Sequence, residues 1–296
     1  MLNTVFTILE QTLMHLPLML GAYISFSLIK VPDLSIESAY VVGALCGSHL
    51  LLGTQSVPMG IQFIIVIFAS LMGGMLVGLT SSIITQKGKL PHLLSSIITF
   101  GLFHGINQLF SAAYVSLGNM PNPLSMLGLN TQNPELPLLI IIGIMVIIFG
   151  YYFLKTQLGY ALAAYGNNPN FFSNYGISTS YIFIMGIMIA NALAGLSGYL
   201  FAQSNSFVEL NLGLGKALLC ITALILGKTL VKTKKPFSIV IPIVGTLAYF
   251  TSQQLLLKVG FNLKYFTAMQ ALLVLLILVY KYRSQKSPDL SDHLGV

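Results

Sequence analysis

Charge is the scarcest commodity in this sequence. Only 7% of its 296 residues are Asp, Glu, Lys or Arg and 55% are apolar, whereas a soluble domain carries about 25% charged residues. That shortage, with a mean hydropathy of +0.85, excludes water as the main solvent and makes the chain an integral membrane protein. Cysteine is nearly missing too. Cys46 and Cys220 lie inside apolar runs without ligand-like spacing, which excludes a disulfide framework and a metal site and leaves two buried thiols. The apolar runs lack the period-two alternation of a membrane barrel, so the spans are helices of about 20 residues that satisfy their own backbone groups. No basic region precedes the first apolar stretch, and Glu10 sits inside it, so the reading expects no cleavable signal and mature chain from Met1 onward.

Recognisable catalytic machinery is also lacking. Gly227-Lys228-Thr229 ends like a phosphate-binding loop, but that signature needs a Gly five positions earlier, where this chain has Thr222 within an apolar run. The Asn-Pro pairs at 122–123, 133–134 and 168–169 are not followed by Ala and are not set in matched apolar half-helices, which argues against a water channel. No nucleophile–base pair or metal-binding helix stands out, so neither an enzyme nor a cofactor is expected. The net charge of +7 comes from basic residues at the ends of apolar runs, a signature of membrane orientation and not of nucleic-acid binding.

What is present is a succession of hydrocarbon-length runs. Residues 4–29 can span, with Glu10, His15 and Pro17 marking a kinked or bundle-facing helix. Lys30–Ala39 then breaks the pattern and leaves Tyr40–Leu52 short for a full crossing, so a broken or re-entrant helix is expected near 30–52, with Lys30 a candidate partner for Asp33; an aqueous loop over Lys30–Glu37 is the alternative. Further spans are read at 59–85, 92–114, 136–154, 181–203, 212–226, 237–257 and 265–280. Gly74-x-x-x-Gly78 permits close helix approach. The expectation is an all-α polytopic bundle of about 8–9 membrane helices, a single domain over 1–296.

One wet interruption organises the rest, KTQLGYALAAYGNNPNFFSNYGIS at 155–178. Asn168 suits a helix N-cap, Pro169 a first helical position and Gly176 a left-handed end, so a short helix is expected near 169–175, with Phe171, Phe172 and Tyr175 on one aromatic face. That face could grip a soluble partner or rest on the membrane interface. Placing this stretch in the cytoplasm puts 10 of the 14 basic residues inside, together with the C-terminus, while the side of Lys30 depends on whether both of the first two runs cross.

The block LGYALAAYGNNPNFFSNYGIS, followed by IANALAGLSGYLFAQSNSFVELNLGLG, resembles permease subunits of bacterial ABC importers of the branched-chain amino acid and ribose class. The subgroup linked to tryptophan, tyrosine and related solutes is the most similar, sharing Pro32, Asp33, Leu34 and Ser38. The resemblance implies a cytoplasmic segment, 156–178, whose coupling helix over 159–176 docks on a separate ATPase through Gly159, Ala164, Gly166, Asn168, Pro169, Phe171, Phe172, Tyr175 and Gly176. It also implies an extracytoplasmic solute-binding protein, a second permease copy and a place in the bacterial inner membrane. Similar proteins commonly carry Arg and Asp where this chain has Ala163 and Asn167, and no charged residue lies between Lys155 and Glu209, so docking would rest on aromatic packing and backbone caps. Candidate pathway groups are Asp33, Ser35, Glu37, Asn107, Asn191, Gln203 and Asn205. The alternatives are a proton-driven secondary transporter using Asp33, Glu37 or Glu10, and an importer of a sugar, nucleoside or branched-chain amino acid.

Overall fold

A computed structural model describes residues 2–54, 56–110, 114–118, 120, 122–127, 133–172, 176–231, 238–260, 265, 268–272, 275 and 279. Among these residues the chain is almost wholly helical. The α-helices are α1 (Leu2–Ala22), α2 (Ser35–Gly53), α3 (Met59–Gly88), α4 (His92–Phe110), α5 (Leu136–Leu154), α6 (Gln157–Asn167), α7 (Thr179–Asn205), α8 (Lys216–Leu230) and α9 (Val240–Lys258). Six described helical stretches are long and apolar enough to cross a membrane, namely α2, α3, α5, α7, α9 and the run through α1 to Ile29. Of the span expected at 265–280 only part is described, and its residues 268–272 are helical.

The core is the crossing of α2, α3 and α7, where three glycines replace side-chain packing with backbone packing. A Cβ on Gly43 would fall inside the backbone of Gly195, and one on Gly195 would meet the Gly74 backbone 3.0 Å away. Gly78 continues the seam, with the Ile187 carbonyl 2.7 Å from where its Cβ would lie. Small residues at a crossing let dispersion and interhelical hydrogen bonds hold helices together in lipid, which supplies no hydrophobic drive of its own.

Two features break the pattern of simple spans. First, α1 runs into a π-helical stretch, Tyr23–Ile29, and stops at Lys30, a non-glycine residue in left-handed backbone (φ 60°); π segments occur often at functional sites. Second, α2 and α8 both start within the bundle. Ser35, the first residue of α2, bonds to Asn191, twelve residues into the 27-residue α7 and therefore about 18 Å from its start at 1.5 Å per residue. Lys216, the first residue of α8, lies against His15 in the middle of α1. The break expected near 30–52 is thus a non-helical link between the π segment and α2.

Contacts fix which ends of the helices lie together. At one end Lys30 meets Asn167, Ser180 meets Gln86, and the Ser238 N–H donates to Tyr23. At the other, a two-stranded antiparallel ribbon pairs β1 (Tyr114–Ser116) with β2 (Phe207–Glu209), and Gln203 donates to Asn122.

Candidate functional site

The first part of the site is α6, which covers the first part of the coupling helix expected over 159–176 and ends at Asn167. Thr156 starts it, its hydroxyl accepting the Gly159 N–H at 3.2 Å, and an N-cap of this kind satisfies a backbone donor that the helix cannot. Asn168 adopts extended backbone and ends it. The helix expected at 169–175 is only a 3-10 turn over Pro169–Phe171, because Asn168 closes one helix instead of opening another; residues 173–175, with Tyr175, lie outside the described residues. Gly176 is left-handed (φ 69°), as its position suggests. Gly159, Leu162 and Ala163 are buried, Ala164 packs on the core, Tyr160 is 55% exposed, and Phe171 is 45% exposed beside a buried Phe172. The two Phe rings meet edge to face at 5.2 Å, so they occupy different surroundings.

Beneath α6 lies the π segment. A Cβ on Gly166 would collide with the Leu28 carbonyl, and Lys30 Nζ donates to Asn167 Oδ1 at 2.6 Å. Asn167 therefore holds Lys30, which leaves Asp33 to other partners. Burial pushes the Tyr165 phenol above its usual range, opposed by a hydrogen bond with Gln86, so it stays a neutral O–H across ordinary pH.

The second part is a polar knot at the start of α2. Asp33 is fully buried. Its Oδ1 accepts the Ser35 N–H at 2.9 Å and the Ser35 hydroxyl at 2.5 Å, and its Oδ2 accepts Asn191 Nδ2 at 3.0 Å. His92 Nε2, from the start of α4, stands 3.4 Å from Oδ1, an ion-pair separation longer than a hydrogen bond, while its Nδ1 is 2.9 Å from Thr85 Oγ1. Its ring meets Phe183 edge on at 5.1 Å. A buried carboxylate is costly unless paired and hydrogen-bonded, and here three residues, from α2, α7 and α4, meet that cost.

Glu37 belongs elsewhere. Its Oε1 accepts the Ala217 N–H at 3.1 Å, placing a carboxylate at the positive end of α8. Beside it Lys216 Nζ reaches His15 Nε2 at 3.1 Å and lies 4.8 Å and 4.6 Å from the centroids of Tyr40 and Phe201. Asn107 lines a cavity of about 380 Å³ between α2 and α4 with Val42, Leu45, Cys46, His49, Phe103 and Ile106. Gln203 and Asn205 sit near the ribbon, Gln203 against Asn122 and Asn205 donating to the Phe201 carbonyl. The seven pathway candidates thus fall into four places, with Asp33, Ser35 and Asn191 brought together. Sequence reasoning missed His92 and Lys216, although a His opening an apolar run and a Lys inside one were both visible signals.

Residues 4–278 match the family described as the branched-chain amino acid transport system permease component. The chain belongs to this family. Among its relatives, an uncharacterised protein of Rickettsia prowazekii is 33% identical over 267 residues, covering 88% of this chain and 91% of that protein. The tyrosine transport system permease protein of Clostridioides difficile is 30% identical, covering 78% of this chain and 75% of that one. The autoinducer 2 import system permease protein LsrC of Escherichia coli is 25% identical, over 63% of this chain and 54% of its own. No solved structure matches the chain. The permease is therefore a membrane component of an ABC-type transport system for a small solute, a transport subunit by family.

Proposed function

We propose that this permease is the membrane half of an ATP-driven importer of an aromatic or related amino acid, working as a homodimer in the bacterial inner membrane. In this reading residues 156–178 face the cytoplasm and dock on an ATPase subunit, and solute arrives from an extracytoplasmic binding protein. The observation that carries it is the division of labour in α6 and the turn that follows it: α6 packs Gly159, Leu162, Ala163 and Gly166 inward, while Tyr160 on α6 and Asn168, Pro169 and Phe171 after it are presented outward. Aromatic groups on a polar rim suit a protein partner, and the exposed Gly176 gives the segment its return turn.

Charge supports the orientation. Lys30 lies at the same end as α6 and so joins the ten basic residues already assigned inside. The outward face of α4 supports a second copy, since a Cβ on Gly101 or Gly105 would meet nothing within 4 Å, and Gln108 and His104, 3.1 Å apart on the same helix, are polar groups better placed against protein than lipid. For the solute, the tyrosine-named relative agrees with a cavity whose walls include Phe103, Asn107 and His49. His49 Nδ1 is 2.9 Å from the Leu45 carbonyl and donates to it, which leaves Nε2 to accept from a phenol or ring N–H. Proton coupling is the weaker reading, because Asp33 and Glu37 are both engaged in holding helix starts.

Tyr160→Asp and Phe171→Asp test the docking surface. Each should weaken ATPase co-purification by at least about 30-fold, the scale of a binding hot spot, with membrane insertion unchanged; wild-type co-purification and uptake in both would refute it.

A further inference from the structure

Asp33 is joined to α6 by two separate routes. The first is the chain itself: Gly166 sits on the Leu28 carbonyl and Asn167 holds Lys30, three residues before Asp33. The second runs through two ring contacts and an ion-pair separation. Tyr165 of α6 meets Phe183 at 5.8 Å, Phe183 meets His92 at 5.1 Å, and His92 Nε2 faces Asp33 Oδ1 at 3.4 Å. A displacement of α6 relative to α7 therefore pulls on Asp33 from both sides.

The far side of Asp33 is the start of α2. Its carboxylate turns the chain into that helix through the Ser35 N–H and hydroxyl, and ties it to the middle of α7 through Asn191 Nδ2, which also bonds to the Ile187 carbonyl at 3.0 Å. The contacts within this knot are unequal. Those to Ser35 and Asn191 are hydrogen bonds of ordinary length, whereas His92 Nε2 stands off and has no nearer partner. Asp33 and His92 are both buried, so in this conformation solute reaches neither. The π segment above the knot ends in a left-handed lysine, a backbone conformation costly enough to persist only where its surroundings hold it.

We propose that the quartet Asp33, Ser35, Asn191 and His92 is a latch that passes the movement of α6 to α2, with the His92–Asp33 contact as the joint that closes and opens. This rests on α6 being the ATPase-docking element. These are positioning residues: they act on the helices that surround the solute route and do not bind the solute. Coupling through such an element needs two packings that the partner favours unequally, and a latch with three tight contacts and one loose contact has a closed state still to gain.

The test uses the assembled complex of permease, ATPase and binding protein in proteoliposomes, with radiolabelled tyrosine as the probe solute, reading ATP hydrolysed per solute imported alongside the KM for solute. Asp33→Asn, Asn191→Asp and His92→Ala should each raise the ATP cost per solute by about 5- to 150-fold, the range of ordinary coupling constants, with KM within about twofold of wild type. Asp33→Asn combined with Asn191→Asp restores one carboxylate facing one amide and should recover most of the coupling, and His92→Gln, which keeps a donor, should stay near wild type. A changed KM with an unchanged ATP cost would make Asp33 a solute ligand and overturn the latch, as would full coupling in His92→Ala. Should the Asp33 variants fail to assemble, the His92 pair still decides. Failure of the docking reading itself would appear separately, as wild-type uptake that does not respond to ATP.

Discussion

Phe171 and Phe172 are adjacent in sequence, and a helical reading puts both on one aromatic face. In the fold Phe171 is 45% exposed and Phe172 only 8%, since the 3-10 turn over Pro169–Phe171 ends between them. The difference separates binding from stability. Phe172→Ala should cost about 3–5 kcal/mol, the usual penalty for truncating a buried Phe, and appear as a lowered melting midpoint in detergent. Phe171→Ala should leave that midpoint within the roughly 0.5 kcal/mol typical of surface changes and act on ATPase association instead; equal melting losses in the two variants would contradict the assignment. Asp33 gives the same lesson. Its place in a break between apolar runs marked it as paired or functional, but Asn191 and His92 lie 158 and 59 positions away in the chain, and no local pattern names partners at that distance.

At the scale of elements, long apolar runs were legible because lipid leaves only helices for them. Met59–Gly88, Leu136–Leu154 and Thr179–Asn205 all lie close to where hydropathy placed them. What escaped was local capping and long-range capping. Thr156 opens α6 by a side-chain bond only three residues long, yet the Asn-Pro pair at 168–169 drew attention to a later start. α8 is 15 residues long, about 22 Å and short of the roughly 30 Å hydrocarbon core, and its first turn is served by Glu37 from 180 residues earlier. A helix that starts inside a bundle needs its free N–H groups met there. Glu37→Ala should therefore cost about 0.5–2 kcal/mol, the range for loss of a cap, and leave Lys216 beside His15 without a neighbouring carboxylate. Hydrogen exchange of the amides near Gly215 and Ala217 checks this. Faster exchange confined to the start of α8 is expected, and unchanged exchange would mean that Glu37 does not hold the helix.

For the whole molecule, the sequence carried the architecture further than the site. Few charges and runs of spanning length lead to an all-α membrane bundle, and the family match over residues 4–278 agrees; the placement of Lys and Arg is what leads the sequence reading to set the segment holding α6 at the basic end. The structure adds how the ends are connected: α6 rests on the π segment, the π segment leads to Asp33, and Asp33 starts α2 at the depth of Asn191. Force applied at one surface thus has a packed route into the bundle. The account stands on the energy source. In proteoliposomes holding the permease with its ATPase and binding protein, uptake of labelled tyrosine should require ATP in the ATPase compartment and persist when a protonophore dissipates the proton gradient. Uptake that proceeds without ATP and collapses with the protonophore would contradict it.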